Sequence, residues 1–136
     1  MKFVLDDGAL MPVRMHEDDA GIDLITPVDF VIMPRSYVNV NLGVHVAIPE
    51  GYYGKMESRS GMMAKGVTTM GGVIDPNYRG AIRVCLYNHN DYEMRYYRGD
   101  RITQMVIMPF MAEPIEAVNE IDETVRGENG FGSTGA

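Results

Sequence analysis

The stretch that decides the fold is residues 37–48, which read YVNVNLGVHVAI. Its apolar side chains recur at every second position, namely Val38, Val40, Leu42, Val44, Val46 and Ile48. A period of two predicts a β-strand with one buried face and one exposed face. Gly43 falls inside the run and predicts a bulge or a bend at that point.

The rest of the chain repeats this pattern of strands and turns. Longer strands are predicted in AIRVCLYN and ITQMVIMP, and shorter ones in KFVL, IDLI, DFVI, YYGKME, YEMRYY and IEAV. Pro, Gly, Asn and Asp separate them at short intervals, and Asp75-Pro76-Asn77 predicts the turn of a hairpin. Many short strands with regular turns indicate an all-β sandwich, barrel or jelly roll.

One short helix is predicted in SRSGMMAKG, residues 58–66. Ser58 or Ser60 is expected to cap its start and Gly66 to end it. The chain has no internal repeat and no composition shift that would mark a second domain. We therefore expect a single β domain over residues 1–124, followed by a flexible Gly-rich lid over residues 125–136.

Composition limits the classes of function. The chain has 136 residues, 46% of them hydrophobic, which suits one globular domain. Its net charge of −7 argues against nucleic acid and anionic membranes as partners. Cys85 is the only cysteine, so no intrachain disulfide forms, and the three histidines lack metal-ligand spacing. With no signal-peptide pattern or membrane-length apolar run, a cytoplasmic location is expected.

Several residues suit phosphate chemistry, and each also has a structural interpretation. Arg59 and Ser60 at the helix start suit a phosphate, or are a surface arginine and a cap. Asp75 is a general base or a turn residue, and Tyr78 stacks on a ligand or packs in the fold. Asp23 in AGIDL holds a magnesium-bound water or forms a salt bridge.

Two further segments leave similar alternatives open. In GDRITQM, Arg101 and Gln104 are phosphate donors or residues of a strand edge. The tail RGENGFGSTG either wraps a phosphate with backbone N–H groups and hydroxyls or is a disordered end. It is not a Walker A loop, because it lacks the lysine and the following helix.

Taken together, five segments resemble the motifs of the trimeric dUTPases, the deoxyuridine triphosphate nucleotidohydrolases. They are AGIDL, SRSGMMAKG, GGVIDPNYRG, GDRITQM and RGENGFGSTG, in the family's order. The resemblance implies an all-β, jelly-roll-like subunit in a homotrimer whose active sites lie at subunit junctions. It also implies Mg²⁺-assisted hydrolysis of dUTP to dUMP and pyrophosphate, which controls the dUTP level and supplies dUMP for thymidylate synthesis.

The resemblance assigns a role to individual residues. Asp75 would position or deprotonate the water that attacks the α-phosphorus, and Tyr78 would lie against the deoxyribose. Three backbone positions would meet the uracil edge, namely Gly72, Val73 and Ile74. Four residues would hold the phosphates, namely Arg59, Ser60, Gly61 and Gln104. Asp23 would contact the metal indirectly, through water. The lid from a neighbouring subunit would contribute Arg126, Phe131, Gly132, Ser133 and Thr134.

The sequence departs from the family's usual motifs at several positions. Ser58 stands where proline is usual, Thr103 where alanine is frequent, and Thr69 where some members place an asparagine that meets the uracil. Ala81 replaces a frequent glutamate and Asn129 one glycine of the tail. None of these changes removes a residue to which the resemblance assigns catalysis.

Two other functions compete with dUTP hydrolysis. A dCTP deaminase has a similar β-fold, but the VIDPNYRG segment and the GFGSTG tail favour the hydrolase. A non-catalytic binding module that acts through protein partners would have no need of Asp75. The sequence identifies no regulatory protein partner.

Overall fold

Short antiparallel strands make up most of the part of the chain that the structure describes. The structure is a computed structural model that describes residues 1–128 and Gly130. In that part the elements are β1 Lys2–Leu5, β2 Gly21–Ile25, β3 Phe30–Ile32, β4 Tyr37–Asn41, β5 Val44–Ala47, β6 Tyr52–Glu57, α1 Ser60–Met63, β7 Val67–Thr69, β8 Val73–Ile74, β9 Arg83–Asn88, β10 Met94–Tyr96 and β11 Arg101–Pro109. The all-β class with one short helix is confirmed.

The strands form small antiparallel sheets rather than one closed barrel. The strand orders are β2-β11-β6-β8, β4-β9-β7, β1-β5 and β10-β3. Their inward faces share one core, which includes the fully buried Leu24, Ile32, Leu42, Leu86 and Ile102. This arrangement is the jelly-roll-like sandwich that the family resemblance implied, one of the all-β forms that the strand pattern left open.

The stretch of residues 37–48 forms two strands instead of one. Its first half, β4, pairs with β9, and its second half, β5, pairs with β1 in another sheet. The break falls at Gly43, whose φ of 64° lies in the left-handed region that glycine tolerates best. The bend predicted there is confirmed, and its consequence is that one amphipathic run serves two sheets.

The hairpin predicted around Asp75 is wrong, although the turn itself is present. The Tyr78 N–H donates to the Asp75 carbonyl at 3.1 Å, which closes the turn. The strand before the turn, β8, pairs with β6, whereas β9 after it pairs with β4 and β7. The turn therefore carries the chain from one sheet to another.

Two further local predictions differ from the structure. No side chain caps α1; the residue before the helix is Arg59, and the Ser58 hydroxyl bonds elsewhere. IEAV is not a strand, since residues 111–128 are exposed and carry no strand. The predicted end of the helical segment holds, because Gly66 has a φ of 73° and donates its N–H to the Met63 carbonyl.

No helix in the described part of the chain is both long enough and apolar enough to span a membrane. The division into a β domain and a terminal lid stays a prediction, because residues 131–136 lie outside the described residues.

Candidate active site

An open, polar cavity of about 450 Å³ lies at the end of the four-stranded sheet, where β2, β11 and the segment after β6 meet. Its lining residues are Met15, His16, Asp19, Ala20, Gly21, Asp23, Arg59, Ser60, Arg101 and Gln104. Residues from the first, second and fourth motif segments are therefore brought together by the sheet.

Asp23 organises the charges beside this cavity. Its side chain is only 12% exposed, and each carboxylate oxygen accepts from a different arginine. Arg59 donates through Nε at 2.8 Å, and Arg101 donates through Nη1 at 3.0 Å. Arg59 also donates through Nη1 to the Arg101 carbonyl at 2.9 Å. Because both guanidinium groups are fixed by one carboxylate, they are preorganised to meet an anion in the cavity.

The register of the sheet explains how Gln104 reaches the same cavity. In β11 it lies opposite Asp23 of β2 and Glu57 of β6. Directly opposed residues of antiparallel strands point to one face, so the Gln104 amide joins the Asp23 carboxylate. Its Nε2 donates to the Ser58 carbonyl at 3.0 Å. Gly21 makes room for it, because a Cβ at that position would overlap the Gln104 side-chain oxygen.

Ser60 and Gly61 lie on the exposed rim of this region. Ser60 lines the cavity together with Arg59. Gly61 instead lines a neighbouring cavity of about 490 Å³ on the other side of Arg59 and Arg101, with Lys65 and Arg95. The structure thus places Ser60 and Gly61 on either side of the Arg59–Arg101 pair.

Asp75 lies elsewhere on the same chain. It is exposed and lines two adjoining cavities, one of about 250 Å³ with Val73 and Phe110 and one of about 730 Å³ with Glu50 and Arg79. None of the lining residues of the arginine cavity takes part in these two. Within one chain the described residues therefore form two half-sites, one cationic and one carrying the carboxylate.

The backbone before Asp75 is shaped for close approach. Gly72 has a φ of 137°, and its carbonyl accepts from the Met56 N–H at 3.0 Å. Val73 next to it is 64% exposed, whereas Ile74 is buried and fixes the strand to the core. The exposed edge at Val73 is available to a flat ligand.

Tyr78 is held in place on the far side of the turn. Its Oη donates to the Ala81 carbonyl at 3.1 Å, and its ring packs so closely on Gly80 that a Cβ there would overlap it. The side chain remains partly exposed. The ring is therefore held in orientation although the residue is 43% exposed.

A histidine fastens the end of this turn to the N-terminal strand. His45 Nδ1 lies 2.7 Å from the Arg79 carbonyl, and its Nε2 lies 3.0 Å from Asp6 Oδ1. The pKa of His45 is raised, first by the bond to the Arg79 carbonyl and then by Asp6. Both neighbours are acceptors, so the doubly protonated imidazolium satisfies both contacts.

The described residues offer no group of three His, Cys, Asp or Glu side chains that would hold a metal by themselves. Beside the arginine cavity stand Asp23, already paired with two arginines, and Asp19, whose Oδ2 accepts from the His16 N–H at 2.9 Å. A cation here would depend on ligand oxygens and water for most of its coordination.

Some residues that line the arginine cavity were not predicted from the sequence. Met15, His16 and Asp19 precede the AGIDL segment, and the Val13–Asp23 bridge brings that stretch alongside β2. Arg126 is exposed within residues 111–128. The predicted lid residues Phe131, Gly132, Ser133 and Thr134 lie outside the described residues.

The fold and the half-sites define a class: a jelly-roll-like protein with a polar cavity in which two arginines, held by an aspartate, can meet a small anionic molecule. The profile of the dUTPase family matches residues 7–135. A probable deoxyuridine 5'-triphosphate nucleotidohydrolase of Schizosaccharomyces pombe is 39% identical over 132 residues, which cover 96% of this chain and 94% of that protein.

Solved structures of dUTPases also resemble this chain. The dUTPase of Staphylococcus bacteriophage 80alpha with dUPNHPP superposes with a TM-score of 0.92 at 31% identity, covering 99% of this chain and 98% of that one. A mutant dUTPase from phage phi11 of S. aureus, described with a structural Mg(II) ion, gives 0.81 at 27% identity over 88% and 96% of the two chains. The chain belongs to the dUTPase family.

Proposed function

We propose that this chain hydrolyses dUTP to dUMP and pyrophosphate by attack of water on the α-phosphorus. The observation that carries the proposal is the cavity in which Asp23 fixes Arg59 and Arg101 beside Ser60 and Gln104. Phosphoryl transfer depends mainly on positioning and on stabilising charge, and preorganised donors of this kind supply both.

Asp75 is the residue that prepares the water. Its carboxylate is exposed at a turn, where it accepts a proton from water or orients it by a hydrogen bond. The water oxygen forms a bond to the α-phosphorus while the bond from that phosphorus to the bridging oxygen of the β-phosphate breaks. The electron pair leaves with pyrophosphate, and the proton of the water passes to the carboxylate and then to solvent.

The phosphate groups are held by the cationic half-site. The guanidinium groups of Arg59 and Arg101 carry the charge, and the Gln104 amide and Ser60 hydroxyl complete the set of donors. Gly61 at the rim lets the backbone approach the ligand. Arg59 is only 25% exposed and is held by Asp23, so its guanidinium group is preorganised before a phosphate binds.

Mg²⁺ fits this site as a substrate-bound ion. Mg²⁺ keeps several waters and is usually bound through one or two carboxylates plus the phosphates of a substrate, which matches a cavity with Asp19 and Asp23 and no protein cage. Asp23 would then accept a hydrogen bond from a metal-bound water. When bound, the ion neutralises phosphate charge and aligns the phosphate chain.

The base and the sugar are selected by the half-site that carries Asp75. The backbone of Gly72, Val73 and Ile74 would pair with the uracil edge, as the family resemblance implies. Tyr78, fixed against Gly80 by its bond to Ala81, would stack on the deoxyribose and exclude a 2′-hydroxyl.

The separation of the two half-sites supports a homotrimer with shared active sites. Asp75 and the arginine cavity have no lining residue in common on one chain, so a complete site needs another subunit. The exposed segment 111–128 carries apolar side chains with almost no cover of their own, among them Ile115 and Val125. Such side chains mark an interface. The tail from Arg126 to Thr134 would then close over a neighbour's nucleotide.

The product dUMP would feed thymidylate synthesis, and the reaction would control the dUTP level. The cytoplasmic location expected from the sequence stays a prediction.

The test is pyrophosphate release from dUTP with Mg²⁺, measured beside dCTP, dTTP and UTP. Fast release from dUTP alone supports substrate, reaction and selectivity together. Ammonia release from dCTP would point to the deaminase alternative, and binding of dUpNHpp without any turnover would point to a nucleotide-binding module.

A further inference from the structure

Three hydroxyl-bearing residues, Ser58, Thr69 and Thr103, are joined by hydrogen bonds directly behind the cationic half-site. The Thr69 N–H donates to Ser58 Oγ at 2.8 Å, Thr69 Oγ1 lies 2.9 Å from Thr103 Oγ1, and Thr103 Oγ1 donates to the Glu57 carbonyl at 3.0 Å. We propose that this Ser58–Thr69–Thr103 network positions the phosphate-binding segment for dUTP, an inference that rests on the proposed function.

The direction of the hydrogen bonds follows from the acceptors. The Glu57 carbonyl has no proton to give, so the single Thr103 hydroxyl proton is committed to it. The Thr103 oxygen must therefore accept from the Thr69 hydroxyl. The Thr69 N–H and the hydroxyl protons of Thr69 and Thr103 therefore each have one defined acceptor.

Burial makes the network costly to break. Thr103 is fully buried, and Ser58 and Thr69 are half-buried. A buried hydroxyl or carbonyl that loses its partner carries its whole desolvation penalty. Thr103 contacts both the Glu57 carbonyl and the Thr69 hydroxyl, so the three elements β6, β7 and β11 are joined at one point.

The network acts on ligand-binding groups through the backbone of residues 57–58. The Ser58 carbonyl accepts from Gln104 Nε2 at 3.0 Å, so its position sets the orientation of the amide in the cavity. Arg59 and Ser60 follow directly in the chain. Thr69, Thr103 and Ser58 do not line the cavity themselves, and each is a positioning residue rather than a ligand.

The network involves positions at which the sequence departs from the motifs that it resembles. Proline is usual at position 58, alanine is frequent at position 103, and some members place an asparagine at position 69. A proline at position 58 and an alanine at position 103 have no hydroxyl and would leave Thr69 without either partner. The three departures are far apart in sequence and are joined only by these contacts.

The test compares Thr103→Val and Thr69→Val with the wild-type chain. Both changes keep the branched shape and remove the hydroxyl. We expect the KM for dUTP to rise about three- to tenfold in each while kcat stays within about twofold, because positioning of binding groups is lost uniformly. Thr103→Ser and Thr69→Ser, which keep the hydroxyl, should restore most of the affinity.

Thr68→Val is the matched control. Thr68 lies on the same strand, points to the opposite face and contacts His89 Nε2 at 2.9 Å. It should leave KM unchanged. If Thr69→Val and Thr103→Val lower the melting temperature without raising KM, or if the serine variants do not restore affinity, the network is only structural and the proposal fails.

Binding of dUpNHpp separates this proposal from the proposed function. If the wild-type chain binds dUpNHpp but releases no pyrophosphate from dUTP, the proposed hydrolysis is refuted. The Kd of each variant for dUpNHpp still tests the network in that case. The effects of Thr69→Val and Thr103→Val on that Kd should not add, since both remove the same hydrogen bond. Additive effects of the two variants on the Kd would overturn the proposal. If Thr103→Val does not fold, Thr69→Val and Thr69→Ser at the half-buried Thr69 give the same comparison.

Discussion

Asp23 and Arg59 form the tightest charged contact of the cationic half-site, with Arg59 Nε 2.8 Å from Asp23 Oδ1. We expect Asp23→Asn to lower the free energy of unfolding by about 3 kcal/mol, because two partly buried guanidinium groups lose their counter-charge. The KM for dUTP should rise, since neither arginine remains fixed. Urea unfolding and steady-state kinetics at a fixed protein concentration measure the two effects.

The matched control is Asp91→Asn. Its ion pair with Arg35 has the same 2.8 Å distance but is 60% and 83% exposed, so solvent screens it. This variant should match the wild type in stability and KM. An equal loss in both variants would show that Asp23 has no special place in the site.

Gly21 leaves the space that the Gln104 amide occupies. Gly21→Ala should displace that amide from the cavity and raise the KM for dUTP about threefold or more, the value of one lost hydrogen bond. The cost in stability should be small because Gln104 is flexible at its end. Adding Gln104→Ala to Gly21→Ala tests the reason: the alanine at position 21 should then have no further effect on KM.

Local patterns predicted most strands because a strand needs only a few residues of the right type. YYGKME is found as Tyr52–Glu57, and the bend at Gly43 lies where the glycine predicted it. The partners of the strands could not be predicted in this way. β8 has only two residues, too few for a period, and its pairing with β6 rests on contacts distant in sequence.

The site shows the same division between local and long-range information. The motif segments pointed to Arg59, Ser60 and Gln104, and the sheet register places them around one cavity. The salt-bridge interpretation of Asp23 was left open by the sequence, and the arginine contacts supply it. The Ser58–Thr69–Thr103 network has no sequence signature, because it depends on how β7, β11 and the end of β6 come together.

Asp75 is exposed and has no packing role, so its chemistry can be tested apart from stability. We expect Asp75→Asn to lower kcat at least about a hundredfold, the usual effect of losing a general base, and to leave the Kd of dUpNHpp nearly unchanged. Glu50→Gln removes another exposed carboxylate of the same cavity and should keep kcat. Turnover that survives Asp75→Asn would exclude Asp75 as the base.

His45 should make stability depend on pH. Its pKa in the folded chain is raised above 6.5 by the Arg79 carbonyl and by Asp6. The stabilisation is therefore complete below 6.5 and is lost as the pH rises through the folded pKa. Urea unfolding over a pH series that spans this window should show the free energy of unfolding falling as the pH rises.

Two variants test this pH dependence. His45→Gln should remove the fall, and Asp6→Asn should reduce it, because the Arg79 carbonyl still favours the protonated ring. A wild-type slope retained in His45→Gln would assign the effect to another group.

The exposed segment 111–128 should join subunits through its apolar side chains. Ile115 is 104% exposed and Ile121 is 84% exposed on the isolated chain, and burying one such side chain contributes about 2 kcal/mol. If the proposed trimer forms, we expect Ile115→Glu combined with Ile121→Glu to weaken it, with a parallel loss of dUTP turnover because the proposed active site combines half-sites from two subunits. Analytical ultracentrifugation at several protein concentrations measures the association of the subunits. Asn119→Glu, which adds a charge to the same segment, is the control. A stable trimer in the double variant would place the subunit contacts on another surface.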